Sequence, residues 1–300
     1  MLNKEGFAGF AQHRLRANGV VINALVGGAG APLLLLHGAP QTHFIWHRMV
    51  QRLARDFTVV ATDLRGYGDS DKPSGRSDHA NYSKRTMAQD QVEVMRLLGF
   101  DSFLVVGHDR GGRVGHRMAL DHPERVRRLV TLDIAPTLAM YEQTSMEFAK
   151  AYFHWFFLIQ PVPLPERLIG SDPEFYLNSV LGGRSAALAP FTEPALAEYV
   201  RCLREPAAVH AMCEDYRAAA SIDLAHDRAD RAAGRLIECD TLALWGAEGV
   251  VASCFRPLAE WRRVARRVSG AALACGHYIP EEAPEALLAE LLAFLPKENE

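Results

Sequence analysis

The chain has 300 residues, 49% hydrophobic and 23% charged, with 33 Lys and Arg against 36 Asp and Glu for a net charge of −3. That length suits a single core carrying a sizeable insertion, and the composition excludes a disordered or fibrous chain. The near-even charge balance excludes a global positive field for a nucleic acid backbone.

The apolar stretch over 20–36 is broken by Asn23, Gly27, Gly28, Gly30 and Pro32, so no membrane span is expected, and no signal peptide is visible before it. Strands are predicted over 20–25 and 32–36, the second a run of leucines apolar on both faces, as in a sheet covered on both sides. A helical pattern over 42–54 leads to a strand over 57–62. A helix over 84–98 leads to a strand over 103–107, a helix from about 110 and a strand over 126–134. The alternation then stops. From 136 to 225 the sequence is helical in pieces, interrupted by Pro161, Pro163, Pro165, Pro173, Pro190, Pro194 and Pro206. It resumes with a strand over 241–246, a helix over 255–267, a strand over 271–274 and a last helix over 281–295. Strand–helix alternation implies an α/β fold, a mostly parallel sheet with helices on both faces. The interruption reads as a helical cap, giving a core over 1–136 and 226–300 and a cap over 137–225. Five cysteines without a Cys-x-x-Cys argue against a disulfide framework or zinc ribbon and for a reducing compartment, so the cytoplasm is the expected location.

The segment Gly107-His108-Asp109-Arg110-Gly111-Gly112 joins a buried strand to a helix. Glycines on either side of one polar residue permit the sharp turn that pushes a nucleophile out above a sheet, and here that residue is Asp109. A carboxylate there faces a helix N-terminus and can attack carbon to form an ester. The plainer alternative is an Asp capping a helix, which the position in an alternating sheet disfavours. The base is expected at His277, in the loop after the last strand, rather than as an idle surface histidine. Two acids compete to orient it, Asp133 at a strand end between apolar neighbours and Glu248 in a loop. Asp133 is favoured because an unpaired charge there would be costly. The loop His37-Gly38-Ala39-Pro40 and the residue after the nucleophile can supply backbone N–H groups of an oxyanion hole, assigning Ala39 and Arg110. His43 and His47 have zinc-helix spacing but no accompanying third ligand. The basic run over 262–267 reads as a solvated helix face.

These residues resemble the α/β-hydrolase fold and, more narrowly, its fluoroacetate (haloacetate) dehalogenases. The resemblance rests on His37-Gly38-Ala39-Pro40-Gln41, Asp63-Leu64-Arg65-Gly66-Tyr67-Gly68-Asp69-Ser70, Gly107 to Arg113, Leu132-Asp133-Ile134-Ala135-Pro136-Thr137, His154-Trp155, Cys213-Glu214-Asp215-Tyr216-Arg217 and Gly276-His277. The Asp-Arg pair followed by Arg113 is the specific part, since haloalkane dehalogenases and epoxide hydrolases usually place Trp after the Asp. The resemblance implies hydrolytic dehalogenation of short 2-haloacids, with Asp109 as nucleophile, His277 as water-activating base and Asp133 as orienting acid. It further implies that Arg110 and Arg113 bind the substrate carboxylate and that His154, Trp155 and Tyr216 hold the halide. No metal or organic cofactor is implied. The expected partner is a small anionic substrate, with a homodimer by analogy. Without the resemblance, Trp155 would read as core and the two arginines as surface charges. Two departures are visible: Ala39 stands where many relatives carry an aromatic residue, and Leu181-Gly182-Gly183-Arg184 falls where defluorinating relatives carry Trp. The nearest rival is an epoxide hydrolase using Tyr216 with one of Tyr141, Tyr152, Tyr176 or Tyr199. A non-catalytic small-molecule receptor is the rival from another class, and Asp109 itself disfavours a serine esterase.

Overall fold

The computed structural model describes residues 6–296, which form an eight-stranded sheet in the order β1-β2-β4-β3-β5-β6-β7-β8. The strands are β1 Ala11–Ala17, β2 Val20–Gly27, β3 Ala31–Leu36, β4 Phe57–Thr62, β5 Phe103–His108, β6 Val126–Leu132, β7 Asp240–Gly246 and β8 Val268–Leu273. β1 pairs antiparallel with β2, and β2 antiparallel with β4; every later pairing is parallel. β3 and β5 are buried at every residue, so the sheet centre is covered on both faces. The expected α/β architecture is present.

β1 is not among the expected strands. Its burial follows the alternation of a half-exposed edge, but Gln12, His13, Arg14 and Arg16 mask that pattern. The local signal is Asn18-Gly19, both at positive φ (45° and 82°), a two-residue turn that sets Ala17 opposite Val20. The helix expected over 42–54 is instead a 3-10 turn, His43–Trp46, and one short helix, Val50–Leu53. Asp63 fixes the turn, its Oδ1 lying 2.8 Å from both the backbone N and ring Nδ1 of His43. The helix expected over 255–267 shortens to Pro257–Trp261. The last helix is split into Ile279–Glu282 and Pro284–Phe294, because Pro284 disfavours helical backbone at Ala283. β6 ends two residues early, at the positive φ of Asp133 (50°).

Between β6 and β7 the described elements are helices, from Thr137–Glu142 to Ile222–Ala232. The boundary expected at 225 falls inside Ile222–Ala232, whose Asp227 gives Arg117 of the core an ion pair at 2.7 Å. No described helix is long and apolar enough to cross a membrane, and all five cysteines are free.

His116 provides a test of the packing. It lies buried on the helix Arg110–Asp121, edge-on to Trp261 at 5.2 Å between ring centroids, and its Nε2 has no partner. Burial lowers its pKa to about 3. The unfolded chain binds this proton near pH 6.5 and the folded chain only near pH 3, so between these values the residue makes stability fall as pH falls. Urea denaturation of His116→Gln is expected to show a slope of stability against pH shallower than wild type by up to ~1.4 kcal/mol per unit within that window. Equal slopes would mean that the imidazole is solvated in the folded state.

Candidate active site

β5 delivers the chain to His108, and the helix Arg110–Asp121 starts one residue beyond Asp109. Asp109 itself sits at φ 45°, ψ −113°, a costly conformation for a residue with a Cβ. The close approaches around it require glycine at two positions. A Cβ on Gly107 would lie 2.5 Å from the Gly111 carbonyl oxygen, and one on Gly38 would lie 2.5 Å from the Asp109 Cβ. The turn therefore projects a fully buried carboxylate from the sheet's C-terminal edge. Burial alone would raise this carboxyl, but His277, Arg184, His108 and Arg110 outweigh it and hold Asp109 below the usual carboxylate range. Oδ1 accepts the Ala39 N–H at 3.1 Å, while Oδ2 has no partner. The Arg110 N–H, the other donor assigned from sequence, opens the helix, where first-turn amides have no intrahelical acceptor.

His277 faces that free oxygen. Its Nε2 is also unpartnered and lies 3.9 Å from Asp109 Oδ2. Its Nδ1 donates to Asp133 Oδ2 at 2.6 Å, which fixes the tautomer and leaves the Nε2 lone pair towards Asp109. Asp133 Oδ1 accepts the Gly246 N–H at 2.9 Å. Burial, reinforced by Arg184, lowers the His277 pKa to about 3, so the ring rests as a neutral base. Burial raises the Asp133 carboxyl and the Gly246 N–H opposes that rise. Glu248, the competing acid, is exposed in its loop. Two contacts of His277 have no simple sequence signal: Tyr152 places its hydroxyl 3.2 Å from Nδ1, and His108 Nε2 lies 2.9 Å from the His277 carbonyl oxygen.

The two arginines are buried rather than superficial, and they differ in their partners. Arg110 is clamped by Asp215, donating from Nε at 2.9 Å and from Nη2 at 2.7 Å to the two carboxylate oxygens, and from Nη2 at 2.9 Å to the backbone carbonyl. Asp215 also receives the Lys84 ammonium and the Tyr67 hydroxyl, the latter at 2.7 Å. The Arg110 Nη1 is left without a partner, and the guanidinium stacks on the Tyr216 ring at 4.2 Å. Arg113 bonds only neutral groups: the Ala135 carbonyl at 3.1 Å, Thr137 Oγ1 at 2.9 Å and Met140 Sδ at 3.2 Å. Its Nε is unpartnered, and no ion pair to it occurs among the described residues. Burial, then repulsion from Arg110, lowers its pKa. A buried cation without a counterion is costly, and a small anion supplied from outside would relieve it.

His154, Trp155 and Tyr216 converge from two helices, Phe153–Phe157 and Pro206–Ala219. All three are buried, with the Tyr216 ring 5.9 Å from His154 and 6.4 Å from Trp155. The Trp155 Nε1–H has no partner, and its ring lies under the Arg113 guanidinium at 4.7 Å. Burial holds the His154 ring well below its usual pKa, hence neutral. Of the other tyrosines, Tyr176 shares a crevice with Tyr216, whereas Tyr199 is turned away and donates to Glu281 at 2.6 Å. His43 and His47 enter separate ion pairs, with Asp63 and Glu281, and among the described residues no cluster of three His, Cys, Asp or Glu is arranged for a metal. The basic run over 262–267 includes Arg262, Arg263, Arg266 and Arg267, all exposed.

Comparison with known proteins gives a consistent picture. A family model of the alpha/beta hydrolase fold matches residues 31–253. The chain is 46% identical to a fluoroacetate dehalogenase of Burkholderia sp over 96% of its own length and 95% of that protein's. It is 34% identical to a soluble epoxide hydrolase of Corynebacterium sp. (strain C12), covering 94% and 96% of the two chains. The crystal structure of an α/β hydrolase from Nostoc sp PCC 7120 superposes with a TM-score of 0.94 at 56% identity, over 96% and 98% of the chains.

Proposed function

The chain belongs to the α/β-hydrolase family, and from that premise we propose that it hydrolyses the carbon–halogen bond of short 2-haloacids of the fluoroacetate and chloroacetate type. The observation that carries the reading is Arg113, a buried guanidinium without a counterion, one helical turn from a buried carboxylate with a free oxygen. A substrate carboxylate would bind the open N–H positions of Arg110 and Arg113 in charge-assisted hydrogen bonds. That brings its C2 to Asp109.

Asp109 Oδ2 then forms a bond to C2, and the carbon–halogen bond breaks with its electron pair on the halide. The Trp155 Nε1–H, His154 and Tyr216 receive the departing anion, which matters most for fluoride, a poor leaving group. In the second half, His277 Nε2 takes a proton from water as the water oxygen attacks the Asp109 carbonyl carbon. Negative charge develops on Oδ1, which already accepts from Ala39. The ester bond between that carbon and Oδ2 opens, releasing the 2-hydroxy acid, and imidazolium returns the proton. Asp133 steadies the imidazolium. The helices between β6 and β7 act as a cap over this site, with the core on either side of them in sequence. We further propose a cytoplasmic enzyme and a homodimer, which the free cysteines and the resemblance support respectively.

The crevice shared by Tyr176 and Tyr216 is the feature that would suit an epoxide, whose ring oxygen takes hydrogen bonds from two tyrosines. An uncharged epoxide, however, leaves Arg113 without a counterion. A single turnover of chloroacetate in heavy-oxygen water is expected to place the label in Asp109, read by mass spectrometry of the peptide. Label in the product alone would exclude the ester route, and turnover of styrene oxide without any haloacid turnover would establish the epoxide reading instead.

A further inference from the structure

A third buried arginine stands by the site, against Ala39 and His154. Arg184 is 7% exposed and makes no ion pair among the described residues. Its guanidinium contacts are neutral: the Tyr278 hydroxyl, the Val180 carbonyl at 3.3 Å, and, at 3.5 Å each, the Ala39 carbonyl and His154 Nε2. Its backbone carbonyl accepts the His277 N–H at 3.0 Å. One residue, Ala39, therefore touches both Arg184 and the Asp109 carboxylate. The guanidinium lines a narrow crevice with Ala39, Pro40, His154, Tyr176 and Tyr216.

A single arginine pair accounts for a monocarboxylate; Arg184 adds a further positive charge beside Asp109. We propose that Arg184 is a specificity-determining residue that binds a second anionic group, so that the substrate class is short 2-halo dicarboxylates. This rests on the dehalogenase reading given above. One carboxylate lies on Arg110 and Arg113, the other on Arg184, and the halogen-bearing carbon lies between them against Asp109 Oδ2. Bond making and breaking are those of the monocarboxylate reaction, and the product is a 2-hydroxy dicarboxylate.

The test compares 2-chlorosuccinate with 2-chlorobutyrate, in which an ethyl group replaces the second acidic arm. Wild type is expected to favour 2-chlorosuccinate in kcat/KM. Arg184→Met is expected to lower kcat/KM for 2-chlorosuccinate by roughly 100-fold, as for loss of one partner of a buried charge pair, and Arg184→Lys to recover part of it. The ratio of the two kcat/KM values, 2-chlorosuccinate over 2-chlorobutyrate, should fall at least about 30-fold in the Met variant, since any effect of Arg184 on Asp109 weakens both acids alike. Equal losses on both acids would overturn the proposal, because Arg184 would then serve Asp109 or the halide. Inhibition of wild type needs no variant: succinate should compete with chloroacetate at least about 10-fold more tightly than butyrate does. Equal inhibition would overturn the second-anion subsite while leaving the monocarboxylate reading intact. Absence of turnover of every haloacid would overturn both.

Discussion

Asp109→Asn is expected to lower kcat for chloroacetate by on the order of 10⁴-fold or more, measured as halide release. Oδ2 is the unpartnered oxygen of a fully buried carboxylate, and an amide in its place carries neither the charge nor the nucleophilicity for displacement at carbon. The loss should be chemical rather than structural. Asparagine tolerates the positive φ of 45° better than most residues, and its side-chain oxygen can still accept the Ala39 N–H. The variant also removes the anion facing His277, Arg184, His108 and Arg110. An intact thermal transition with activity within about tenfold of wild type would remove Asp109 from the chemistry.

His277→Asn should separate the two halves of the reaction. Displacement of halide asks nothing of the imidazole, so one equivalent of halide should be released rapidly. Hydrolysis of the ester, which needs a proton acceptor, should slow by roughly 10³-fold or more. The trapped species should appear in the intact-protein mass as the addition of one carboxymethyl group, located on Asp109 as its ester by peptide mapping. The geometry motivates this division: Nε2 stands 3.9 Å from Oδ2, with no other partner, and is poised towards water rather than bonded to the nucleophile. Steady turnover without a burst would show that another group activates the water.

Much of this site was legible before any coordinates, for a local reason. A carboxylate between Gly107 and Gly111 can be presented only by a tight strand-to-helix turn, and the close approaches of Gly107 and Gly38 express that constraint in the fold. Asp133 and His277 were legible from position, each just beyond a strand of a parallel sheet. The Asp215 clamp on Arg110 was not, because its partners are 105 residues apart and nothing in either segment specifies the other. Arg184 is visible in the sequence as a departure from the relatives, but its surroundings are not, because Ala39, His154 and Tyr278 are remote from it in the chain. The fold was read correctly where strands are buried on both faces and missed at β1, where polar residues on an exposed edge conceal the alternation. Helix lengths were overestimated around Trp46 and Trp261: Asp63 takes the His43 backbone N–H at the start of the first, and Pro257 delays the start of the second.

The Asp215 clamp has a consequence for how substrate reaches the site. Asp215 lies on Pro206–Ala219, in the stretch between β6 and β7, whereas Arg110, Lys84 and Tyr67 lie in segments before β6. Lifting that helix as a rigid flap would break the bonds of Asp215 to Arg110, Lys84 and Tyr67 together. The same bonds hold Arg110 in one orientation before substrate arrives, which, on the proposed carboxylate-binding role, spares the reaction that ordering step. Opening is therefore expected as local breathing elsewhere in the helical segment, with Pro206–Ala219 as the fixed wall against which it moves. Pre-organisation and route of entry are thus set by one buried aspartate, remote in sequence from every group that touches the reacting carbon.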